Sequence, residues 1–93
     1  MIRSFRRKQT ERIWGGWSVR KFPSDIQDRA LRKLRQLDAA ITVEDLRNPP
    51  GNRLEILKRD RAGHTSIRIN DQLRICFRWA NGDAEDVEIV NYH

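Results

Sequence analysis

The amino-acid sequence predicts an α+β fold, in which two N-terminal helices pack on a mostly antiparallel β-sheet. Helical patterns occupy the first half of the chain, and patterns of period two begin at Leu54. Helices followed by strands in separate runs are typical of α+β rather than alternating α/β folds. A chain of 93 residues buries only about 60–65% of its unfolded surface, so we expect one domain, residues 1–93.

The first predicted elements are a short strand, MIRSF, and a short helix within RRKQTERIWGGW. Gly15 and Gly16 end this helix, since paired glycines break helical structure. Trp14 and Trp17 flank the break. We interpret both tryptophans as packing residues rather than as platforms for base stacking.

The second helix is predicted in PSDIQDRALRKLRQLDAA. Ser24 is the expected N-cap, and Gln27 completes a capping box three residues later. Apolar residues then recur every three or four positions, as an amphipathic helix requires. The apolar stripe comprises Ile26, Ala30, Leu31, Leu34 and Leu37, and the basic outer face comprises Arg29, Arg32, Lys33 and Arg35. A basic face of this kind is usually solvated, although it could also contact ribosomal RNA or a partner protein.

The segment VEDLRNPPGNR is predicted as a loop without regular structure. Pro49, Pro50 and Gly51 disfavour both helix and strand there. A short strand, LEIL, follows this loop.

The segment SIRINDQLRICFRW predicts a hairpin whose turn lies at residues 70–72. Pairing Ile67 with Ile75, and Ile69 with Leu73, keeps the apolar face intact, whereas a slip of one residue would mix apolar and charged side chains. This register places Arg68 opposite Arg74. Two facing cations repel each other unless an anion lies between them, so the pair suggests a phosphate site; the alternative is that both side chains splay into water.

A second hairpin is predicted around Asn81 and Gly82, a strong turn signal. A strict two-residue turn would pair Phe77 with Asp86, so we expect a bulge or a longer loop. The bulge leaves Val87 and Ile89 on the core face. On the face of the two arginines it leaves Glu88, Val90 and Tyr92.

The charge of the chain predicts a polyanionic partner. The formal net charge is +6, the isoelectric point is about 10.4, and the basic residues are mostly arginine, which suits bidentate phosphate contacts. Nucleic acid is therefore the expected partner, and a basic surface kept for solubility is the alternative. The acidic stretch DAEDVE would add nothing to a protein that only coats nucleic acid.

Cys76 is the single cysteine, which indicates a reducing compartment. No apolar run approaches the ~18 residues of a membrane span, and MIRSFRRK lacks the apolar segment of a signal peptide. We therefore expect a cytoplasmic protein without a membrane partner.

Three segments carry a likeness to a known family: the leading MIRSF, the run NRLEILKRDRAGHTSIRINDQLRICFRW, and the terminal EIVNYH. Together they resemble the HigB toxins of bacterial type II toxin–antitoxin pairs, within the RelE/ParE superfamily. The resemblance implies a RelE-like fold and an mRNA interferase, an endoribonuclease that cuts translated mRNA in the ribosomal A site beside 16S rRNA, without a cofactor. It also implies a HigA-type helix-turn-helix antitoxin as partner. The toxin would contact operator DNA only through this antitoxin.

The sequence departs from the family pattern at two positions. Asn91 stands where members often have aspartate, and Glu55 stands where some have histidine. Asn91 cannot act as a base. Glu55 can, with a reference pKa of about 4.3 against about 6.5 for histidine.

Candidate site residues follow from the resemblance and from the shared sheet face. His93 is expected to act as acid or base, because histidine titrates near neutral pH, with Glu55 as its partner. Arg74 and Arg68 would hold the scissile phosphate, and Tyr92 would stack on a base or bond a phosphate oxygen. Further RNA contacts are expected from Lys58, Arg61 and Asn91. His64 is interpreted as structural, and two histidines and one cysteine lack metal-ligand spacing.

Two other functions are compatible with the sequence. A ParE-like protein would inhibit DNA gyrase without catalysis, although the Tyr-His end and the paired arginines argue against it. A nucleic-acid-binding module without toxicity would show salt-sensitive affinity and no effect on growth.

Overall fold

The computed structural model describes residues 1–57 and 63–91, and it confirms the α+β fold. Two α-helices pack on a four-stranded antiparallel sheet with the strand order β1-β2-β3-β4. The elements are α1 (Lys8–Trp14), α2 (Ser24–Ala39), β1 (Glu55–Ile56), β2 (His64–Arg68), β3 (Leu73–Ala80) and β4 (Asp83–Asn91). Within the described ranges, no helix is long and apolar enough to cross a bilayer.

Helix α1 ends where the sequence predicts. Gly15 forms its C-cap, and Gly16 follows with a φ of +87°, a left-handed conformation that glycine adopts at little cost. Trp14 is partly buried against the core, whereas Trp17 is exposed. The packing interpretation is therefore right for Trp14 and wrong for Trp17.

The predicted capping of α2 by Ser24 is wrong. Pro23 occupies the N-cap position, so Ser24 already lies inside the helix. The side chain of Gln27 instead binds the preceding loop. Its oxygen accepts from the Val19 N–H at 2.9 Å, and its amide nitrogen donates to the Val19 and Phe22 carbonyls at 2.9 and 2.7 Å. These bonds give partners to backbone groups of Val19 and Phe22, which explains why this glutamine does not complete a capping box.

The loop predicted between α2 and β1 is also wrong in part. Two short 3₁₀ helices form there, Val43–Arg47 and Pro50–Asn52. A proline fits the first turn of a helix because its missing N–H would have no partner at that position. The Asp45 carboxylate caps the first of these helices by accepting from the Ile41 and Thr42 N–H groups at 2.9 and 3.0 Å, and these bonds lower the pKa of Asp45.

The register predicted for the first hairpin is confirmed. Ile67 pairs with Ile75, and Arg68 pairs with Arg74. The Ile69 N–H donates to the Leu73 carbonyl at 2.8 Å, which closes the hairpin.

The second hairpin combines a tight turn with the expected bulge. Asn81 and Gly82 have φ angles of +54° and +79°, which is the conformation of a type I′ turn. The register then shifts between Cys76 and Arg78, and Asp86 has a φ of +52°. This shift returns Val87 and Ile89 to the core face.

The hydrophobic core lies between the helices and one face of the sheet. Leu34 and Leu37 of α2 are completely buried, and Ile13 of α1 packs in the same cluster. The sheet contributes Ile67, Ile69, Ile75, Phe77, Val87 and Ile89. With this face covered, residues of alternate parity are directed to the second face of the sheet, where the candidate site lies.

The first residues run beside the edge of β4 rather than forming a full strand. Ile2 and Phe5 make isolated parallel bridges to Ala84 and Val87. The Arg3 Nε donates to Asp83 Oδ2 at 2.8 Å. This pairing covers an edge that would otherwise expose unpaired N–H and C=O groups.

Asp83 is expected to make the stability of this edge depend on pH. The hydrogen bond from Arg3 holds the pKa of Asp83 below its ordinary value of 3.8. A depressed carboxyl pKa stabilises the fold above the unfolded-state pKa, and the stabilisation is lost as the pH falls through the folded-state value. Asp83→Asn should therefore reduce the loss of unfolding free energy on acidification below about pH 4.

Denaturant unfolding at a series of pH values tests this expectation. Asp28→Asn, on the exposed surface of α2, is the matched control and should retain the wild-type pH profile. A profile for Asp83→Asn that is superimposable on that of wild type would contradict the expectation.

Candidate functional site

Arg74 is the best-anchored cation on the second face of the sheet. It lies in the middle of the ladder, between Arg68 of β2 and Val90 of β4, and is only 8% exposed. Its Nε donates to Ser66 Oγ at 2.7 Å, and its Nη2 donates to the Ser66 carbonyl at 3.2 Å and to the Arg53 carbonyl. These acceptors fix the plane of the guanidinium group.

Glu55 lies next to this arginine. It pairs with Ser66 across β1 and β2, and its Oε2 is 3.9 Å from Arg74 Nη2. Half of the Glu55 side chain remains exposed, so the carboxylate is accessible to a substrate. Two of the predicted catalytic residues are thus adjacent.

Arg68 is held by the turn that follows β2. Its Nε donates to the Asn70 carbonyl at 3.1 Å, and its Nη2 forms an ion pair with Asp71. Both facing arginines therefore have acceptors within the protein. The repulsion inferred from the register does not by itself require a bound anion, and Arg74 does not splay into water.

A polar cleft opens between the two arginines and the chain before β1. Its volume is about 320 Å³, and its lining residues are Arg53, Arg68, Asn70, Asp71 and Arg74. Three guanidinium groups and one carboxylate give it a positive potential. Arg53 was not among the predicted site residues; it has a φ of +44° at the end of the second 3₁₀ helix, and the sequence gives no local signal for that position.

The same sheet face contains a buried polar row that the sequence did not single out. Ser66, Cys76 and Glu88 are paired across β2, β3 and β4, and each is at most 1% exposed. Arg7 Nε donates to Glu88 Oε2 at 2.8 Å, and Arg6 Nε is 4.0 Å from the same atom. A buried carboxylate is uncommon unless it is paired, and Glu88 was detectable only as one member of the alternation in β4.

Residues 3–93 match the family model described as the RelE-like toxin HigB of a type II toxin–antitoxin system. The chain belongs to this HigB-like toxin family. As such, it is one member of a pair whose other member is an antitoxin.

Two curated relatives and one solved structure show the extent of the likeness. The chain is 49% identical to "Toxin HigB-1" of Vibrio cholerae over 65 residues, which is 70% of this chain and 68% of the relative. It is 32% identical to "Endoribonuclease HigB" of Proteus vulgaris over 93 residues, the full length of both. The "YoeB-YefM complex from Staphylococcus aureus" contains a chain that aligns with a TM-score of 0.64 at 15% identity, covering 100% of this chain and 98% of that one; this match supports the RelE-like fold.

The remaining predicted site residues of this HigB-like chain divide into two groups. Asn91 ends β4 opposite Leu73, so it lies on the other face of the sheet from Arg74. There it lines a separate cavity of about 490 Å³ that also includes Asn70, Gln72 and Ile89. Lys58, Arg61, Tyr92 and His93 lie outside the described residues.

His64 begins β2 on the candidate-site face, opposite Arg78. Its Nδ1 is buried and has no hydrogen-bond partner in the part of the chain that the structure describes, which is uncommon for a buried polar atom. Among residues 1–57 and 63–91, no cluster of three histidine, cysteine or acidic side chains could hold a metal ion. The described side chains that meet at the cleft of this HigB-like site are the Glu55 carboxylate and the guanidinium groups of Arg53, Arg68 and Arg74.

Proposed function

We propose that this chain is a ribosome-dependent endoribonuclease that cuts translated mRNA. The observation that carries the proposal is the adjacency of Glu55 and Arg74 at a cleft lined by three arginines. The full-length relative from Proteus vulgaris is named an endoribonuclease, which supports the same activity here. Translated mRNA and ribosomes place this function in the cytoplasm.

The proposed reaction is attack of the substrate 2′-OH on the neighbouring phosphorus. It needs an acceptor for the 2′-OH proton, positive charge on the pentacoordinate phosphorane, and a donor for the leaving 5′-oxygen. Glu55, half exposed beside Arg74, is suited to accept the proton. His93 supplies the proton to the leaving oxygen, and positioned acid–base groups of this kind contribute about 10²–10⁴-fold.

Arg74 and Arg68 supply the positive charge. Fixed donors aimed at developing charge stabilise a transition state without reorganising during the reaction, and the bonds from Arg74 to Ser66 provide that fixation. Lys58 and Arg61 add contacts to the RNA backbone, and Tyr92 stacks on a base. Asn91 has no part at the phosphate in this proposal, because it lies across the sheet from Arg74.

A HigA-type helix-turn-helix protein is the proposed antitoxin. It would neutralise the toxin and bind the operator DNA for the pair.

The test of the proposal is induced expression without antitoxin, followed by growth measurement and mapping of mRNA 5′ ends. Wild type should arrest growth and produce cuts in phase with codons, and His93→Gln should abolish both by removing the acid. His64→Gln is the matched control, since it removes the other histidine of the chain, and it should retain both effects.

Three results would contradict the proposal. Undiminished mRNA cuts by His93→Gln would remove this histidine from the mechanism, and loss of activity only in His64→Gln would transfer its role to His64. Growth arrest with a DNA damage response and no mRNA cuts would favour gyrase inhibition.

A further inference from the structure

A second basic groove lies beside helix α2, apart from the cleft at Arg74. Its volume is about 380 Å³, and it lies between α2, the second 3₁₀ helix and the end of β2. The lining residues are Arg29, Arg32, Lys33, Gln36, Gly51, Arg68 and Ile69. Among these described lining residues, four are cations and none is acidic. We refer to the groove as the α2 groove.

The cations of the α2 groove are held close together despite their repulsion. Burial lowers the pKa of Lys33, and the charges of Arg29 and Arg32 lower it further. A bound anion would offset both effects, because it stabilises the charged form of each neighbouring group. The repulsion between the cations of the groove is therefore unfavourable, and a bound polyanion would reduce it.

Lys33 is positioned by a buried amide rather than extended into solvent. Its Nζ donates to Asn52 Oδ1, and Asn52 is completely buried. The amide nitrogen of Asn52 donates to Gln36 Oε1 and to the Leu46 carbonyl, both at 3.1 Å. Fixing a lysine in this way reduces the entropy that it would lose on binding a ligand.

Arg68 connects the α2 groove to the cleft at Arg74, because it lines both. An extended chain of phosphates that enters the cleft can thus continue along α2. Of the lining residues within the described ranges, only Ile69 has an apolar side chain, and it is 4% exposed. The lining therefore suits a phosphate backbone better than a peptide, which would bring apolar side chains to bury.

We propose that the α2 groove binds phosphates of the RNA strand next to the bond that is cut. This inference rests on the proposed function, and it assigns Arg29, Arg32 and Lys33 to strand binding rather than to the reaction. The groove would contribute affinity without base specificity, since phosphate contacts position a strand but carry no sequence information.

The experiment measures binding of fluorescently labelled, uncleavable 2′-O-methyl oligonucleotides to the full chain by anisotropy, at several salt concentrations and strand lengths. Each phosphate contact to a single strand contributes about 0.7 to the slope of log Kd against log salt. Arg32→Gln/Lys33→Gln should lower that slope by about 1.4 and remove the affinity gained by lengthening the strand. Arg35→Gln, exposed on the same helix and outside the groove, is the matched control and should keep both.

The comparison of these variants distinguishes binding in the α2 groove from general charge attraction. An equal loss of slope in the Arg35 control would show general charge attraction. An unchanged slope in the double variant would show that the groove does not bind the strand. Either result overturns the inference. Wild-type RNA affinity combined with loss of antitoxin binding would assign the groove to an acidic protein segment instead. Should the double variant fail to fold, Arg32→Gln alone, on an exposed side chain, should lower the slope by about 0.7.

Failure of the groove and failure of the proposed function give different results. The binding measurement uses a strand that cannot be cut, so groove-dependent binding without any mRNA cleavage would overturn only the nuclease proposal. If the wild type cleaves mRNA and the groove variants bind RNA as tightly as the wild type does, only the present inference is overturned.

Discussion

Arg74→Lys is expected to reduce RNA cleavage by about 10²–10³-fold, the usual effect of removing one preorganised donor from an oxyanion-type site. The guanidinium group of Arg74 contacts Ser66 Oγ, the Ser66 carbonyl and the Arg53 carbonyl while lining the cleft. A lysine ammonium is a single point charge on a flexible stem. It cannot reach these acceptors and face a phosphate in the same fixed geometry.

The measurement is cleavage of a reporter mRNA on programmed ribosomes by the purified toxin variants. Arg78→Lys is the matched control, because Arg78 lies on the same strand, is about half exposed, and pairs with Glu85 at 2.8 Å; it should cleave at the wild-type rate. Activity of Arg74→Lys within a few fold of wild type, in a variant with unchanged unfolding free energy, would remove Arg74 from the transition-state contacts.

Ser66→Ala provides a second test of the same geometry. It keeps the Arg74 side chain and removes the hydroxyl that accepts from its Nε at 2.7 Å. The arginine then loses part of its orientation but not its charge, so the loss of cleavage should be smaller than that of Arg74→Lys. A larger loss in Ser66→Ala would indicate that the hydroxyl itself contacts the RNA.

The ion pair between Arg7 and Glu88 is expected to have the second large effect, on stability. The Glu88 side chain is 2% exposed and accepts from Arg7 Nε at 2.8 Å. Removing one partner of a buried pair costs about 3–5 kcal/mol. Because more than half of the Arg7 side chain is exposed and Arg6 lies 4.0 Å from the same carboxylate, we expect about 1–3 kcal/mol for Arg7→Met.

A double-mutant cycle isolates this contribution. In the Glu88→Gln background, no carboxylate remains to be neutralised, so Arg7→Met should cost less than about 0.5 kcal/mol, the range of ordinary surface substitutions. Arg12→Met, on the exposed surface of α1, is the control and should stay within the same limit. Equal costs of Arg7→Met in both backgrounds, measured by denaturant unfolding, would show that the pair contributes nothing.

The two hairpins show how much of the fold could be predicted from the sequence. Ile67 pairs with Ile75 as expected, because any other register would place charged side chains in the core. The bulge after Cys76 was predictable for the same reason, since an unbroken ladder would have paired Phe77 with Asp86. Strand registers are predictable where one face of the sheet is buried.

The wrong predictions concern segments in which backbone groups could bond with more than one side chain. Ser24 and Gln27 have the spacing of a capping box, yet the nearby loop from Val19 to Phe22 uses the glutamine amide. Residues 49–52 have the composition of a loop, yet they form a 3₁₀ turn that buries Asn52. Such outcomes depend on which backbone groups are buried, and local spacing does not report burial.

In the candidate site, too, some features could be predicted from the sequence and others could not. The alternation in β2 and β3 placed Arg68 opposite Arg74, and the basic composition indicated an anionic partner. Glu55 was predicted as a site residue and lies beside Arg74. The other partners of these arginines were not predicted: Arg53, Asp71 and Ser66 come from three different segments, which the fold brings together.

The sequence by itself determined the α+β class, the positions of the hairpin strands and the sign of the net charge, because periodicity and composition are local properties. Only the tertiary structure decided which cations are fixed and which are free to move. That distinction depends on burial and on hydrogen-bond acceptors supplied from distant segments, such as the Ser66 hydroxyl for Arg74 and the Asn52 amide for Lys33. An arginine is protonated wherever it lies, but it can be oriented toward a phosphate only where the fold holds it in place.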